Sequence, residues 1–114
     1  MASGDFGLVQ GTLAMLILKA LALEPMHGHG ISLRLGQISR GVFHVNPGSL
    51  FPALRRLERD GLVRGEWRSS DNNRRARYYA LTRRGHTALA NQTSDWNVQV
   101  AAIQRILQAS ADEL

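Results

Sequence analysis

Ten arginines stand between Arg55 and Arg84, at positions 55, 56, 59, 64, 68, 74, 75, 77, 83 and 84, against four acids, Glu58, Asp60, Glu66 and Asp71. Ten against four leaves this stretch at +6, more than the +5 of the whole 114-residue chain. Lys19 is the one lysine. A guanidinium offers a planar fork of donors that matches phosphate oxygens and guanine edges, where an ammonium is a point charge. The chemistry these residues suit is therefore recognition of a polyanion. Groups that make or break bonds are sparse by comparison. The absence of cysteine excludes a disulfide framework, a thiolate metal site and a thiol nucleophile. His27 and His29 are close in sequence, yet no carboxylate stands at a convincing ligand spacing, and His44 and His86 are isolated. With no nucleophile–base pattern, no paired carboxylates and no phosphate-cradling glycine loop, neither an enzyme nor a cofactor is expected.

Positioning such a set of arginines needs a scaffold, and the chain spells one out. Residues 12–23 are good helix formers, apolar almost all the way round, and Glu24-Pro25 closes them. A helix of that kind must be covered on more than one side, which suggests a second subunit. His27-Gly28-His29-Gly30 reads as a flexible lead into a second helix marked by Ile31, Leu35 and Ile38, with Gly36 and Gly41 setting its end. Asn46-Pro47 places an N-cap before a proline at the first helical position, and Leu50, Leu54 and Leu57 then mark one face as far as the stop at Gly61. Pro52 reads as an early-turn proline.

Beyond Gly61 the period becomes alternating. Residues 62–68 read as a strand and 77–81 as its return, with turn chemistry over residues 69–73. Thr82 caps a long last helix running to about Ser110, along which Leu89, Thr93, Trp96, Val100, Ile103 and Leu107 recur at four- and three-residue steps, the spacing of a packing seam. The fold class is mainly α with a small β-hairpin: a winged helix-turn-helix plus a long C-terminal helix. Residues 1–10 are expected to be a tail, 11–82 the winged helix and 83–114 the dimerisation helix.

The excess charge then lies on the two elements that a winged helix presents to a duplex. Arg55, Arg56 and Arg59 fall on the polar side of the third helix. Its start at Pro47, Gly48 and Ser49 has a positive dipole end and unsatisfied backbone N–H groups suited to a phosphate. Asn73, Arg74, Arg75 and Arg77 lie at or beside the hairpin tip, where they could follow the backbone or enter a minor groove. Trp67, in mid-strand, is expected to pack against the base of the hairpin. Two readings of Trp96 stand open: an anchor of a dimer interface, or a flat wall for an aromatic effector between subunits. Leu13, Ile17, Val100, Ile103 and Leu107 are the other expected interface residues. The first ten residues show no secretory pattern, and the apolar run at residues 13–23 is too short to span a bilayer. A soluble intracellular protein, away from membranes, is expected.

Five segments in this order resemble the PadR family of bacterial transcriptional regulators. They are Gly11-Thr12-Leu13-Ala14-Met15-Leu16-Ile17-Leu18, the step His27-Gly28-His29-Gly30-Ile31, Gly48-Ser49-Leu50-Phe51-Pro52-Ala53-Leu54-Arg55-Arg56-Leu57-Glu58, Asn72-Asn73-Arg74-Arg75-Ala76-Arg77-Tyr78-Tyr79 and Leu81-Thr82-Arg83-Arg84-Gly85. The likeness runs from about residue 11 to about residue 108 and is to the short members, with a single C-terminal dimerisation helix. It implies a homodimeric repressor of the bacterial cytoplasm and nucleoid that binds double-stranded DNA at two inverted half-sites. Ser49, Phe51, Pro52 and Arg55 would lie on the recognition helix and Asn73, Arg74 and Arg75 on the wing. Phe51 and His29 stand where the family usually has tyrosine, and His29 could still donate to a phosphate. Some PadR-like proteins respond to small aromatic molecules at the dimer centre, so an effector of that class is an expected partner. The rival from another class is an interaction module that has kept the winged-helix shape without binding DNA.

Overall fold

Leucine, alanine, methionine, a single isoleucine and Lys19 make the first helix, α1 (Leu13–Leu23), whose buried residues are Ile17, Leu18, Ala20 and Leu21. After it come β1 (Met26–His27), α2 (Gly28–Ile38), α3 (Pro47–Arg59), β2 (Val63–Ser69), β3 (Arg75–Leu81) and α4 (Arg83–Gln108), with a 3-10 turn at Ala111–Glu113. The computed structural model describes residues 11–69, 72 and 74–113; the expected tail over residues 1–10, most of the hairpin turn and Asn73 lie outside these.

The core joins α1, α2, α3 and the sheet. Ile17, Leu18, Ile31, Leu50, Leu54 and Val63 are its largest fully buried side chains. Helix α1 runs through the middle of the molecule, packed against α2, α3, α4 and β3. One chain thus covers more of α1 than its apolar pattern alone implies. Ile17 in particular has no exposed surface and belongs to the protomer's own core, which corrects its expected place at a subunit interface. Leu13 packs against the same core and is partly buried.

The third helix begins as its sequence says. Asn46 caps it, its side-chain oxygen accepting from the Ser49 N–H at 3.0 Å. That bond also revises the expected phosphate seat, since proline has no N–H to offer and that of Ser49 is already engaged. Pro52 is the sixth residue of α3, in the second turn rather than the first. There it deprives the Gly48 carbonyl of its helical partner. The helix stops in a Schellman motif: Gly61 takes φ +77°, its N–H donates to Glu58 O at 3.0 Å and that of Leu62 to Leu57 O at 2.9 Å.

The sheet has three strands, in the order β1-β3-β2, where the alternation alone suggests a two-stranded hairpin. The two residues of β1 pair antiparallel with β3, Met26 opposite Tyr79 and His27 opposite Tyr78. Two residues are too few for a period to show, so β1 exists only through this long-range pairing. The segment around His27 is correspondingly not a flexible lead. His27 Nδ1 accepts from the Gly30 N–H at 2.9 Å, capping α2 three residues earlier than the apolar spacing suggests.

Helix α4 is tied to the core at its start, lies beside α1 to about its middle, and beyond that is mostly exposed among the described residues. Thr82 caps it by accepting from the Gly85 N–H at 3.1 Å, and donates its own hydroxyl to Gly61 O at 2.6 Å. Gly85 is the one fully buried residue of the helix. A Cβ there would sit 2.0 Å from the Leu62 carbonyl oxygen, so only glycine lets the backbones meet. Farther along, Ile103, Ile106 and Leu107 are 51%, 73% and 78% exposed. The radius of gyration of 16.7 Å exceeds the ~13 Å of a compact chain of this length because α4 projects from the body.

Candidate nucleic-acid interface

Helix α3 and the β2–β3 hairpin place the arginines on one side of the molecule. Leu50, Ala53, Leu54 and Leu57 turn inward, which leaves Ser49, Arg55, Arg56 and Arg59 in solvent. Phe51 is only partly exposed. Its ring lies over Gly28, where a Cβ would stand 2.6 Å from Cε1 and 2.8 Å from Cζ. Gly28 is therefore the space into which Phe51 docks, and this contact sets α3 against the start of α2. Pro52 is half-buried beside it. His29 is exposed on the first turn of α2, its ring 6.2 Å from that of His27.

At the hairpin, Arg74 and Arg75 are exposed; neither they nor Arg55 and Arg56 form an ion pair among the described residues. Those four are the unneutralised cations of the expected set. Arg77 differs. Its guanidinium donates to Glu58 Oε2 of α3, and this hydrogen bond, ahead of the carboxylate's charge, raises its pKa above the ordinary arginine value. It is held within the protein and does not hang free at the tip.

Trp67 also departs from expectation. It is 56% exposed and does not pack on the hairpin base. The guanidiniums of Arg75 and Arg77 lie over its ring at 5.3 and 5.7 Å from the centroid. On the other face of the hairpin Arg68 lies 5.1 Å from the Tyr78 centroid and pairs with Glu66 at 2.6 Å. Sequence reasoning passes over Glu58 and Gly65. A glycine in mid-strand is the one sign that something lies close over β2; nothing marks Glu58 until the register sets Arg77 beside α3.

The expected interface residues of α4 divide along its length. Trp96 and Val100 are partly buried, and Ile103 and Leu107 open. Trp96 lines a cleft of about 310 Å³ between the start of α1 and the middle of α4, with Thr12, Met15, Gln92, Asp95 and Gln99. Among the described residues no three His, Asp or Glu side chains gather to hold a metal, and no helix is long and apolar enough to cross a membrane.

The family described as transcriptional regulator PadR-like matches this chain over residues 17–91, from the middle of α1 into α4. The chain belongs to the PadR-like family. A relative named transcriptional regulator Rv3488, from Mycobacterium tuberculosis, is 41% identical over 73 residues, 64% of each protein. A second, a 37.1 kDa protein from transposon TN4556 of Streptomyces fradiae, is 38% identical over 78 residues. That stretch is 68% of this chain and 21% of the relative, so the chain spans less than two thirds of either protein's length. The PadR-family transcriptional regulator from Eggerthella lenta superposes with a TM-score of 0.78 at 29% identity, covering 89% of this chain and 86% of the other. The PadR-like match thus takes in α3 and the hairpin, where the unpaired arginines stand, and the transcriptional-regulator family it identifies is not one of enzymes.

Proposed function

We propose that this PadR-like chain is a sequence-specific DNA-binding repressor that acts as a homodimer on an operator of two inverted half-sites. The observation that carries the reading is the set of unpaired, exposed arginines divided between α3 (Arg55, Arg56) and the hairpin (Arg74, Arg75) on one scaffold. Phosphate neutralisation by these residues supplies most of the affinity, and the exposed face of α3 supplies base choice. Ser49, Pro52 and Phe51 contribute at the start of that face and His29 at its edge, and Asn73 is a further proposed contact. Arg77 contributes through its position rather than as a free contact.

The bare distal half of α4 supports the dimer. Trp96, Val100, Ile103 and Leu107 form a seam that nothing among the described residues covers at its far end, and a second copy would bury it. The cleft beside Trp96 supports release by a small aromatic effector. A ligand there would shift the population of dimer arrangements and so the spacing of the two winged helices. Hydroxyl-radical footprinting on the promoter region next to the protein's own gene tests the reading. Two protected half-sites, centred about 34 Å apart on one face of the duplex, are expected. Absence of protection even at low salt and protein in large excess over the fragment would favour the interaction module.

A further inference from the structure

Glu58 stands where electrostatics argue against it. It lies in the last turn of α3, where the helix dipole disfavours an anion, and on the element that would face a polyanion. Its carboxylate is one-third exposed, and exposed ion pairs contribute little stability on their own. Its partner gives it a different value. Arg77 starts on β3, opposite Trp67 in the register, and must cross β2 to reach α3. It does so over Gly65, two residues before Trp67 and so on the same face of the strand. A Cβ on Gly65 would stand 2.6 Å from Arg77 Nε and 2.9 Å from its Cζ. The same guanidinium then lies over the Trp67 indole, which it shares with Arg75. A carboxylate, a glycine, an indole and two guanidiniums thus form one continuous line from the third helix to the outer part of the hairpin.

We infer that Glu58, Arg77 and Trp67 are a brace fixing the wing relative to α3 and presenting Arg75 to the phosphate backbone, so that Glu58 and Trp67 are positioning residues for DNA binding although neither touches DNA. On the other face of the hairpin Tyr78 packs edge-on against His27, the cap of α2; toward α3 the Glu58–Arg77 pair is the hairpin's one side-chain hydrogen bond among the described residues. An unbraced hairpin must be ordered on binding, and that entropy is subtracted from affinity. The inference rests on the proposed DNA interface, but the brace itself exists without DNA.

That makes the two separable, and it gives the inference a sign. Removing an anion from a DNA-facing surface tightens binding if charge alone matters. The brace requires the opposite. Binding of the full-length protein to a fluorescein-labelled fragment of its own promoter region is measured by anisotropy for the wild type, Glu58→Gln, Arg77→Ala and the double variant. Glu58→Gln is expected to weaken binding about threefold or more, and to weaken it no further, or to tighten it, once Arg77 is gone. Gly65→Ala is expected to mimic Glu58→Gln with an unchanged thermal midpoint, because the added methyl displaces only the end of a flexible side chain. In protein labelled with 5-fluorotryptophan and free of DNA, Glu58→Gln should move the fluorine resonance of Trp67 and leave that of Trp96 in place.

Tighter binding by Glu58→Gln in both backgrounds, or an equal loss in both, overturns the brace. So does a Trp67 resonance that Glu58→Gln leaves unmoved, a result obtainable even if the wild type bound no duplex at all, which would instead defeat the DNA-binding reading.

Discussion

Single side chains in this protein take their roles from what they are tied to. Arg74 and Arg75 share a composition and a neighbourhood with Arg77, yet among the described residues only Arg77 has a carboxylate partner. The same distinction separates Phe51, whose ring occupies the space above Gly28, from Ser49 and Arg55, which stand open on the same helix. Gly28→Ala should therefore force the Phe51 ring off α2 and destabilise the fold by about 1–3 kcal/mol, the usual cost of overpacking, read from urea denaturation. Gly85→Ala meets backbone and not a mobile ring, and should cost at least as much. Such close approaches were not legible in the sequence. The glycines at 28, 65 and 85 can be read there as flexible or incidental, because the atom that forbids a Cβ comes from another element.

Elements were more legible, and the reason lies in how local their signals are. Asn46-Pro47 and Gly61 delimit α3 by capping chemistry that needs only a few neighbouring residues, and the structure has both ends there. Replacing Asn46 by alanine should accordingly cost about 1 kcal/mol in chemical denaturation, with little effect on the salt dependence of DNA binding. Strand β1 is the counter-example. Met26 and His27 are in a sheet because Tyr78 and Tyr79 pair with them from far along the chain, and no window of local sequence contains that fact. Helix α2 began earlier than its apolar spacing because the cap is a histidine ring nitrogen, outside the usual set of capping side chains. Trp67 was misplaced for a related reason: its alternation gives its face, and only the register gives the arginines that lie over it.

At the scale of the whole molecule, the dominant feature is a helix too long for its body. Helix α4 spans 26 residues, of which Gly85 is the one buried among the described residues, and the proposed homodimer would cover its exposed apolar seam. Charges placed in that seam, as in Ile103→Glu/Leu107→Glu, should convert a dimer to a monomer in sedimentation equilibrium. They should leave the thermal unfolding of the winged helix nearly unchanged and weaken binding to a two-half-site fragment by more than about tenfold, because the second half-site is no longer bound intramolecularly. The exposed apolar positions of α4 follow the spacing of its sequence, whereas Ile17 of α1 proved to be core, because a helix apolar almost all the way round does not show which of its faces the chain itself covers.

The arginines of α3 and the hairpin that have no ion-pair partner among the described residues are the proposed phosphate-binding surface of a dimer. The most direct test of that proposal is the salt dependence of duplex affinity, measured by anisotropy on the promoter fragment and on an unrelated duplex, for the wild type and for Arg74→Ala/Arg75→Ala. The wild type should bind the promoter more tightly than the unrelated duplex, with log affinity falling steeply against log salt. The variant should lower that slope by up to about 4, since a dimer carries two copies of each arginine and each phosphate left unneutralised removes close to one unit. Equal, weak binding to both duplexes, with a slope the double substitution leaves untouched, would contradict the account.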